Sequence, residues 1–252
     1  TTMWPFKIQS TLSLEDEEWQ VQTWRWLLDV LGGMEDLKRH LFVQPTPAFF
    51  PPTEATGHDR ALHVFQSVRN LMGMEQWQCQ VLAQPEAPDP KVSETASLQW
   101  ENTYNQPGGT FGIEGNEVLI TYDPKLIDDP VALVATFAHE LSHYLLASKS
   151  EPPGGWDNHE FCTDLCVVYT GFGLFGAATA FRYYSGAQGW GYVRSGYLTQ
   201  AEWTFALAVF FALRGQSVDD AAPFLPSHLM NSVRRSAKYL SSRPQVLEAI
   251  GA

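Results

Sequence analysis

Apolar positions recur at intervals of three and four between residues 131 and 146, which is the periodicity of one buried helix face. Asp129 precedes this run as a suitable N-cap, and Pro130 suits the first helical position. The run ends before Glu-Pro-Pro-Gly-Gly at 151–155, through which no helix continues. The pattern therefore predicts a helix in the middle of the chain with a defined beginning and end.

The same periodicities predict helices throughout the chain and strands only before the central helix. The predicted helices lie at 14–31, 34–40, 57–74, 203–213, 232–239 and 244–250, with a further one after residue 158. Shorter patterns predict strands at 41–43 and 77–82 and a hairpin with strands at 108–113 and 117–122. We therefore predict an α+β fold with a mixed α/β part at 1–150 and a helical part at 151–252. These parts are either two packed domains or one compact domain.

The central helix contains the sequence His139-Glu140-Leu141-Ser142-His143, which matches H-E-x-x-H. Residues four apart share a helix face, so both histidines can bind one ion, and Glu140 beside them can reach a water on that ion. On a helix, this pattern is typical of a zinc site with a general base. The alternative interpretation is two surface histidines that match the pattern by chance.

A catalytic zinc site also needs a third protein ligand and an open position for water. Glu160 follows His143 by 17 positions, and Asp164 lies one helical turn beyond Glu160. A carboxylate ligand with a second carboxylate one turn away suits a metal site. In such a site Asp164 would accept a hydrogen bond from the ring N–H of a ligating histidine, on the nitrogen that does not bind the metal.

His159 is an alternative third ligand, because it is adjacent to Glu160 and histidine also binds zinc. Asp157 and Glu160 match a capping box, and a capping role would withdraw Glu160 from the metal. The position of Asp164, one turn after Glu160 rather than after His159, favours Glu160.

Residues 117–170 resemble the gluzincin group of zinc peptidases, in which H-E-x-x-H is followed, after a helix break, by E-x-x-x-D. The resemblance implies a zincin-like fold, with the H-E-x-x-H helix on a small N-terminal sheet and a helical C-terminal half. It implies that an edge strand aligns an extended peptide, with 110–113 and 117–122 as candidates. It also implies zinc as the cofactor and these roles: ligands His139, His143 and Glu160, general base Glu140, and histidine-orienting Asp164.

The function expected from these residues is zinc-dependent hydrolysis of a peptide or protein substrate. One alternative is a catalytically weak or inactive zinc-stabilised binding protein on a peptidase-like fold. Another is a di-iron carboxylate protein, which would need a second E-x-x-H that the sequence lacks. By residue type alone, four side chains are candidates for stabilising an oxyanion: Tyr192, Arg194, Tyr197 and His228.

The formal net charge of −12 argues against non-specific binding to nucleic acid or to anionic lipid, which attract basic proteins. The three cysteines, Cys79, Cys162 and Cys166, suggest no disulfide framework, so we expect free, buried thiols and a reducing, cytoplasmic compartment. The first residues lack the basic and apolar segments of a signal peptide.

The segment 165–181 is uncharged and mostly apolar, which raises the question of a membrane span. Its 17 residues fall short of the roughly 20 that a spanning helix needs, and it is rich in glycine. We therefore predict that this segment is a helix buried in the protein core.

Overall fold

Helices and a small sheet share the first half of the chain, and helices dominate the second half. The structure is a computed structural model, and it describes residues 8–85, 108–115, 117–180, 182–186, 189–193 and 196–251. The first half contains α1 (Leu14–Leu31), α2 (Gly33–Arg39), α3 (Gly57–Leu71), β1 (Gln80–Ala83), β2 (Gly109–Glu114), β3 (Glu117–Tyr122) and α4 (Pro130–Leu146).

The second half contains α5 (His159–Tyr169), α6 (Gly173–Thr179), β4 (Arg182–Gly186), β5 (Gly189–Val193), α7 (Gln200–Leu213), α8 (Ser227–Ser241) and α9 (Pro244–Ile250). Strands β4 and β5 form a separate antiparallel pair. The α+β class predicted from the sequence is confirmed, with the difference that one strand pair also lies in the mainly helical half.

Side-chain caps begin several of these helices. The Asp129 side chain accepts a hydrogen bond from the backbone N–H of Ala132, at 3.2 Å, at the start of α4. Thr199 and Glu202 form a reciprocal capping box at the start of α7. These caps satisfy N–H groups that have no partner within the helix. The predicted beginning of α4 is confirmed, whereas α7 begins at Gln200, three residues before the predicted helix 203–213.

Strand β3 is the middle strand of the sheet, whose order is β1-β3-β2. It pairs parallel with β1 and antiparallel with β2. The predicted hairpin is confirmed, but the proposal of 117–122 as an edge strand is wrong, because β1 covers its second edge. Among the described strands, β2 remains as the edge strand beside α4.

Two other strand predictions need correction. The predicted strand at 77–82 begins only at Gln80 and extends to Ala83, where it pairs with β3. Residues 41–43 form no strand, since the backbone N–H of Val43 donates to the carbonyl of Gly171 in the turn between α5 and α6. The Val43 side chain is buried there, so its apolar character reflects docking against helices rather than membership of a sheet.

The apolar segment 165–181 is not one helix, as the sequence predicted, but parts of two. Helix α5 ends at Tyr169, and Gly171 adopts a left-handed conformation with φ of 91°. The N–H of Phe172 then donates to the carbonyl of Val167, which closes the helix with a Schellman motif. Both parts are buried, as predicted. Within the described residues, no helix is both long and apolar enough to cross a membrane.

One hydrophobic core contains residues from both sides of position 150, among them Trp24, Phe137, Phe172 and Trp203. Helix α4 lies within this core and contacts α3, α5 and α6, so its H-E-x-x-H turn is held from several directions. The cysteines are free thiols, of which Cys162 and Cys166 are buried and Cys79 is partly buried. The division of the chain at residue 150 stays a prediction.

Candidate metal centre

Helices α4 and α5 bring the predicted metal-binding side chains together. The chain reverses between them through Gly154 and Gly155, which have φ values of 85° and 82° and therefore use the left-handed conformation that favours glycine. Helix α5 then begins at His159 and packs against α4, which places Glu160 in its first turn opposite His139 and His143.

Three side-chain atoms form a nearly equilateral triangle at this contact. The Nε2 atoms of His139 and His143 are 3.0 Å apart, and each lies 3.2 Å from Oε2 of Glu160. Ligand atoms around a tetrahedral zinc ion with bonds of about 2.0–2.1 Å would be about 3.3–3.4 Å apart. The triangle therefore differs from the face of such a tetrahedron by only a few tenths of an ångström.

Asp164 determines which nitrogen of His139 faces the triangle. The Nδ1 atom of His139 lies 2.9 Å from Oδ1 of Asp164, so we assign the ring proton to Nδ1. The other carboxylate oxygen of Asp164 accepts the backbone N–H groups of Tyr197 and Leu198 at 2.6 and 3.0 Å. Asp164 is 2% exposed, so this buried network leaves the lone pair of His139 Nε2 directed at the triangle.

Thr163 has the corresponding role for His143. The Thr163 hydroxyl donates to the carbonyl of His159 at 2.9 Å, which leaves its oxygen free to accept from Nδ1–H of His143 at 3.3 Å. The proton of His143 is therefore assigned to Nδ1, and its Nε2 lone pair also faces the triangle.

The triangle thus joins three electron-pair donors, an arrangement that requires a cation or a shared proton between them. Burial lowers the pKa of His139, but the hydrogen bonds with Asp164 and Glu160 outweigh burial and raise it to about 10. Burial raises the pKa of Glu160, but hydrogen bonds from His139 and His143 outweigh it and place the pKa well below its usual range. Both shifts have the direction expected for a site that favours positive charge.

Glu140 lies beside the triangle and is 5% exposed. Burial raises the pKa of its carboxyl group, and the electrostatic interaction with the neighbouring His139 and His143 partly opposes this rise. The carboxyl group also lies against β2, because a Cβ added to Gly109 would be 2.9 Å from Oε1 of Glu140. The edge strand therefore passes directly over the candidate base.

We expect Gly109→Ala to destabilise the protein by about 1–3 kcal/mol, because the added methyl group overpacks this contact. It would lie 2.7 Å from Cγ2 of Thr136 and 2.8 Å from the carbonyl oxygen of Thr121. Urea unfolding monitored by circular dichroism measures the change. Gly112→Ala in the same strand is the matched control, since its Cβ meets no atom within 4 Å. Equal unfolding free energies for the two variants would contradict the prediction.

The structure brings together His139, His143 and Glu160, with Asp164 behind His139 and Glu140 beside them. The proposed capping box at 157–160 does not form, because the Glu160 carboxylate contacts the two histidines instead. His159 stacks on the ring of His143, with centroids 5.1 Å apart and planes at 22°, and is not part of the triangle.

The four side chains proposed to stabilise an oxyanion differ in where they lie relative to the triangle. The ring of Tyr197 stacks on His139, with centroids 6.2 Å apart. His228 is exposed at the start of α8, and none of the described site contacts includes it. Arg194 and the side chain of Tyr192 lie outside the described residues, so their proposed role stays a prediction.

Sequence reasoning missed Thr163 and Gly109. Thr163 precedes Asp164 and has no distinguishing pattern, because its role depends on the angle at which α5 packs on α4. The Gly108-Gly109 pair at the start of the predicted strand 108–113 is a signal that could have indicated close approach of the backbone to another group.

Comparison of the chain with protein-family models, curated proteins and solved structures found no match. The resemblance of residues 117–170 to gluzincins therefore rests on the motif residues and on the contacts between them. Within the part of the chain that the structure describes, His139, His143 and Glu160 are the only group of three metal-binding side chains close enough to share one ion.

Proposed function

We propose that this protein is a zinc-dependent metallopeptidase that hydrolyses peptide bonds at the His139–His143–Glu160 triangle. The observation that carries the proposal is the orientation of three lone pairs toward one point, each histidine being held from behind by a residue of α5. A buried carboxyl group, Glu140, lies next to the same point.

The donor set favours zinc in a catalytic rather than a structural site. Two histidines and one carboxylate are a known ligand set for catalytic zinc, whereas structural sites use four protein ligands. The Glu160 side chain is 37% exposed, so one side of the triangle is accessible from solvent. A water and a substrate carbonyl would reach a metal held by the triangle from that side.

When bound, zinc supplies a water whose pKa is near neutral and an electrophile that polarises the substrate carbonyl. Glu140 takes the proton from the attacking water and transfers it to the leaving amine. Asp164 and Thr163 keep both histidine rings in the binding tautomer throughout. These hydrogen bonds orient the two histidine rings before substrate arrives, which lowers the reorganisation needed for reaction.

The placement of β2 supports a zincin-like arrangement. Its antiparallel partner β3 covers one edge, and no strand among the described residues pairs with the other edge. Gly109 in β2 lies against Glu140, and Phe111 stacks on His143 with ring centroids 6.1 Å apart. An extended peptide added along this edge would pass the metal ligands, with main-chain hydrogen bonds setting its direction.

We expect one zinc ion per chain in purified protein, measured by elemental analysis. His143→Ala should lose most of the metal, since it removes one of three ligands and leaves two. His228→Ala is the control, because it replaces an exposed histidine outside the described site contacts. Full zinc occupancy in His143→Ala would overturn the metal site.

Activity is tested by incubating the zinc-loaded protein with a mixture of peptides and identifying new termini by mass spectrometry. Cleavage that chelation abolishes and zinc restores supports the peptidase. Stoichiometric zinc without cleavage of any peptide would instead favour the zinc-stabilised binding protein.

A further inference from the structure

Two indole groups of α1 attach the connection between α4 and α5 to the rest of the protein. The Nε1–H of Trp26 donates to the hydroxyl oxygen of Ser150 at 3.0 Å. The Nε1–H of Trp19 donates to the carbonyl oxygen of Pro153 at 3.4 Å. Trp19 and Trp26 are two helical turns apart and share one face of α1. One helix therefore holds two points of the connection just before it reverses.

The same face of α1 also contacts α5 beside the carboxylate of the triangle. Trp19 packs edge-on against Phe161, with ring centroids 6.1 Å apart and planes at 80°. Phe161 follows Glu160 directly in the chain, and its ring packs edge-on against Tyr197, which stacks on His139. Trp19 thus contacts both the connection and the first turn of α5.

Glu160 has little local support in its own segment. Gly154 and Gly155, which precede α5, both have positive φ, and no side-chain hydrogen bond caps the start of α5 at Asn158. His139 and His143, in contrast, belong to a helix that packs on several others. Movement of the connection would therefore displace the carboxylate relative to the two histidines. Zinc would then bind only the fraction of molecules in which the triangle is complete, and its apparent affinity would fall by that fraction.

We propose that Trp19 and Trp26 are positioning residues for the metal site, because they fix the α4–α5 connection and thereby keep the Glu160 carboxylate at the triangle. Neither residue belongs to the triangle, so both act through Glu160. This inference rests on the proposed function, since zinc affinity reports on the carboxylate only if the triangle binds zinc.

The experiment measures zinc affinity by competition with a fluorescent chelator in variants that lack the hydrogen bond between α1 and the connection. Trp26→Phe removes the donor and keeps an aromatic ring, and Ser150→Ala removes the acceptor. Each should weaken zinc binding by about three- to tenfold, and Trp19→Phe should have a similar effect. The Trp26→Phe/Ser150→Ala double variant should be no weaker than either single variant, because both lose the same bond. Ser148→Ala is the control, since Ser148 is an exposed serine of the same connection and accepts neither indole N–H.

Two further variants separate positioning from a general loss of stability. Trp24→Phe alters a fully buried tryptophan of α1 whose indole N–H has no hydrogen-bond partner in the part of the chain that the structure describes. It should destabilise the protein but leave zinc affinity unchanged. In a Glu160→Ala background, Trp26→Phe should change zinc affinity by less than about twofold, because the group through which it acts is gone.

Unchanged zinc affinity in both Trp26→Phe and Ser150→Ala would overturn the positioning role and leave the metal site intact. So would an equal loss of affinity in Trp24→Phe, or a full effect of Trp26→Phe in the Glu160→Ala background. Absence of zinc binding by the unaltered protein would instead overturn the metal site itself.

Discussion

Replacing Glu140 by glutamine is expected to lower kcat for peptide hydrolysis by about 10²- to 10⁴-fold while leaving one zinc ion per chain. Glutamine has nearly the same shape as glutamate but cannot accept the proton of the attacking water. The three ligand atoms belong to other side chains, so the metal should stay bound. Elemental analysis and steady-state kinetics on a peptide that the unaltered protein cleaves measure the two quantities.

Glu248→Gln is the control for this change, because it makes the same substitution at an exposed position in α9. It should alter neither metal content nor kcat. The assignment of Glu140 as the base would be wrong if Glu140→Gln cleaved the peptide at the normal rate. Loss of zinc from Glu140→Gln would show instead that the side chain supports the metal directly.

Glu160→Ala should weaken zinc binding by more than the roughly 10- to 100-fold that changes to outer-shell residues usually cost. Its carboxylate oxygen lies 3.2 Å from both histidine nitrogens, so its removal takes away one vertex of the triangle. Competition with a fluorescent zinc chelator measures the affinity of each variant.

His159→Ala is the matched comparison, because it changes the neighbouring residue on the same helix. His159 stacks on His143 without joining the triangle, so its loss should cost about 0.5–1.5 kcal/mol of stability and change zinc affinity little. The reverse result, in which His159→Ala loses zinc and Glu160→Ala retains it, would identify His159 as the third ligand. It would also contradict the resemblance to gluzincins at this position.

Local signals account for the predicted beginning of α4 and for the shared helix face of His139 and His143. Asp129 and Pro130 define the beginning of α4 through hydrogen bonding and backbone geometry that involve only adjacent residues. The four-residue spacing of His139 and His143 then places both rings on one face, which is a property of any helix. These parts of the site could be read from the sequence because the cap and the spacing both lie within one helix.

The choice between Glu160 and His159 as the third member of the triangle depended on more than local pattern. His159 and Glu160 are neighbours, about 100° apart around a helix axis, and both residue types bind zinc. The rotation of α5 as it packs on α4 decides between them, because it directs Glu160 at the two histidines and leaves His159 stacked outside. Thr163 acquires its role from the same packing.

The errors in the predicted fold have a similar cause. The sequence shows alternation in 117–122 but not which strands lie on either side, and pairing with the distant β1 turns an expected edge into the centre of the sheet. The apolar run 165–181 carries no periodic signal for its interruption at Gly171, where the carbonyl of Leu41 lies so close that a Cβ would clash with it. Sequence by itself determined the capped helix, the paired histidines and the adjacent glutamate, because hydrogen bonds and spacing within one helix suffice for them. Tertiary structure decided which side chain completes the triangle, which strand forms the edge beside α4 and which rings pack on the two histidines, because each depends on contacts between segments far apart in the chain.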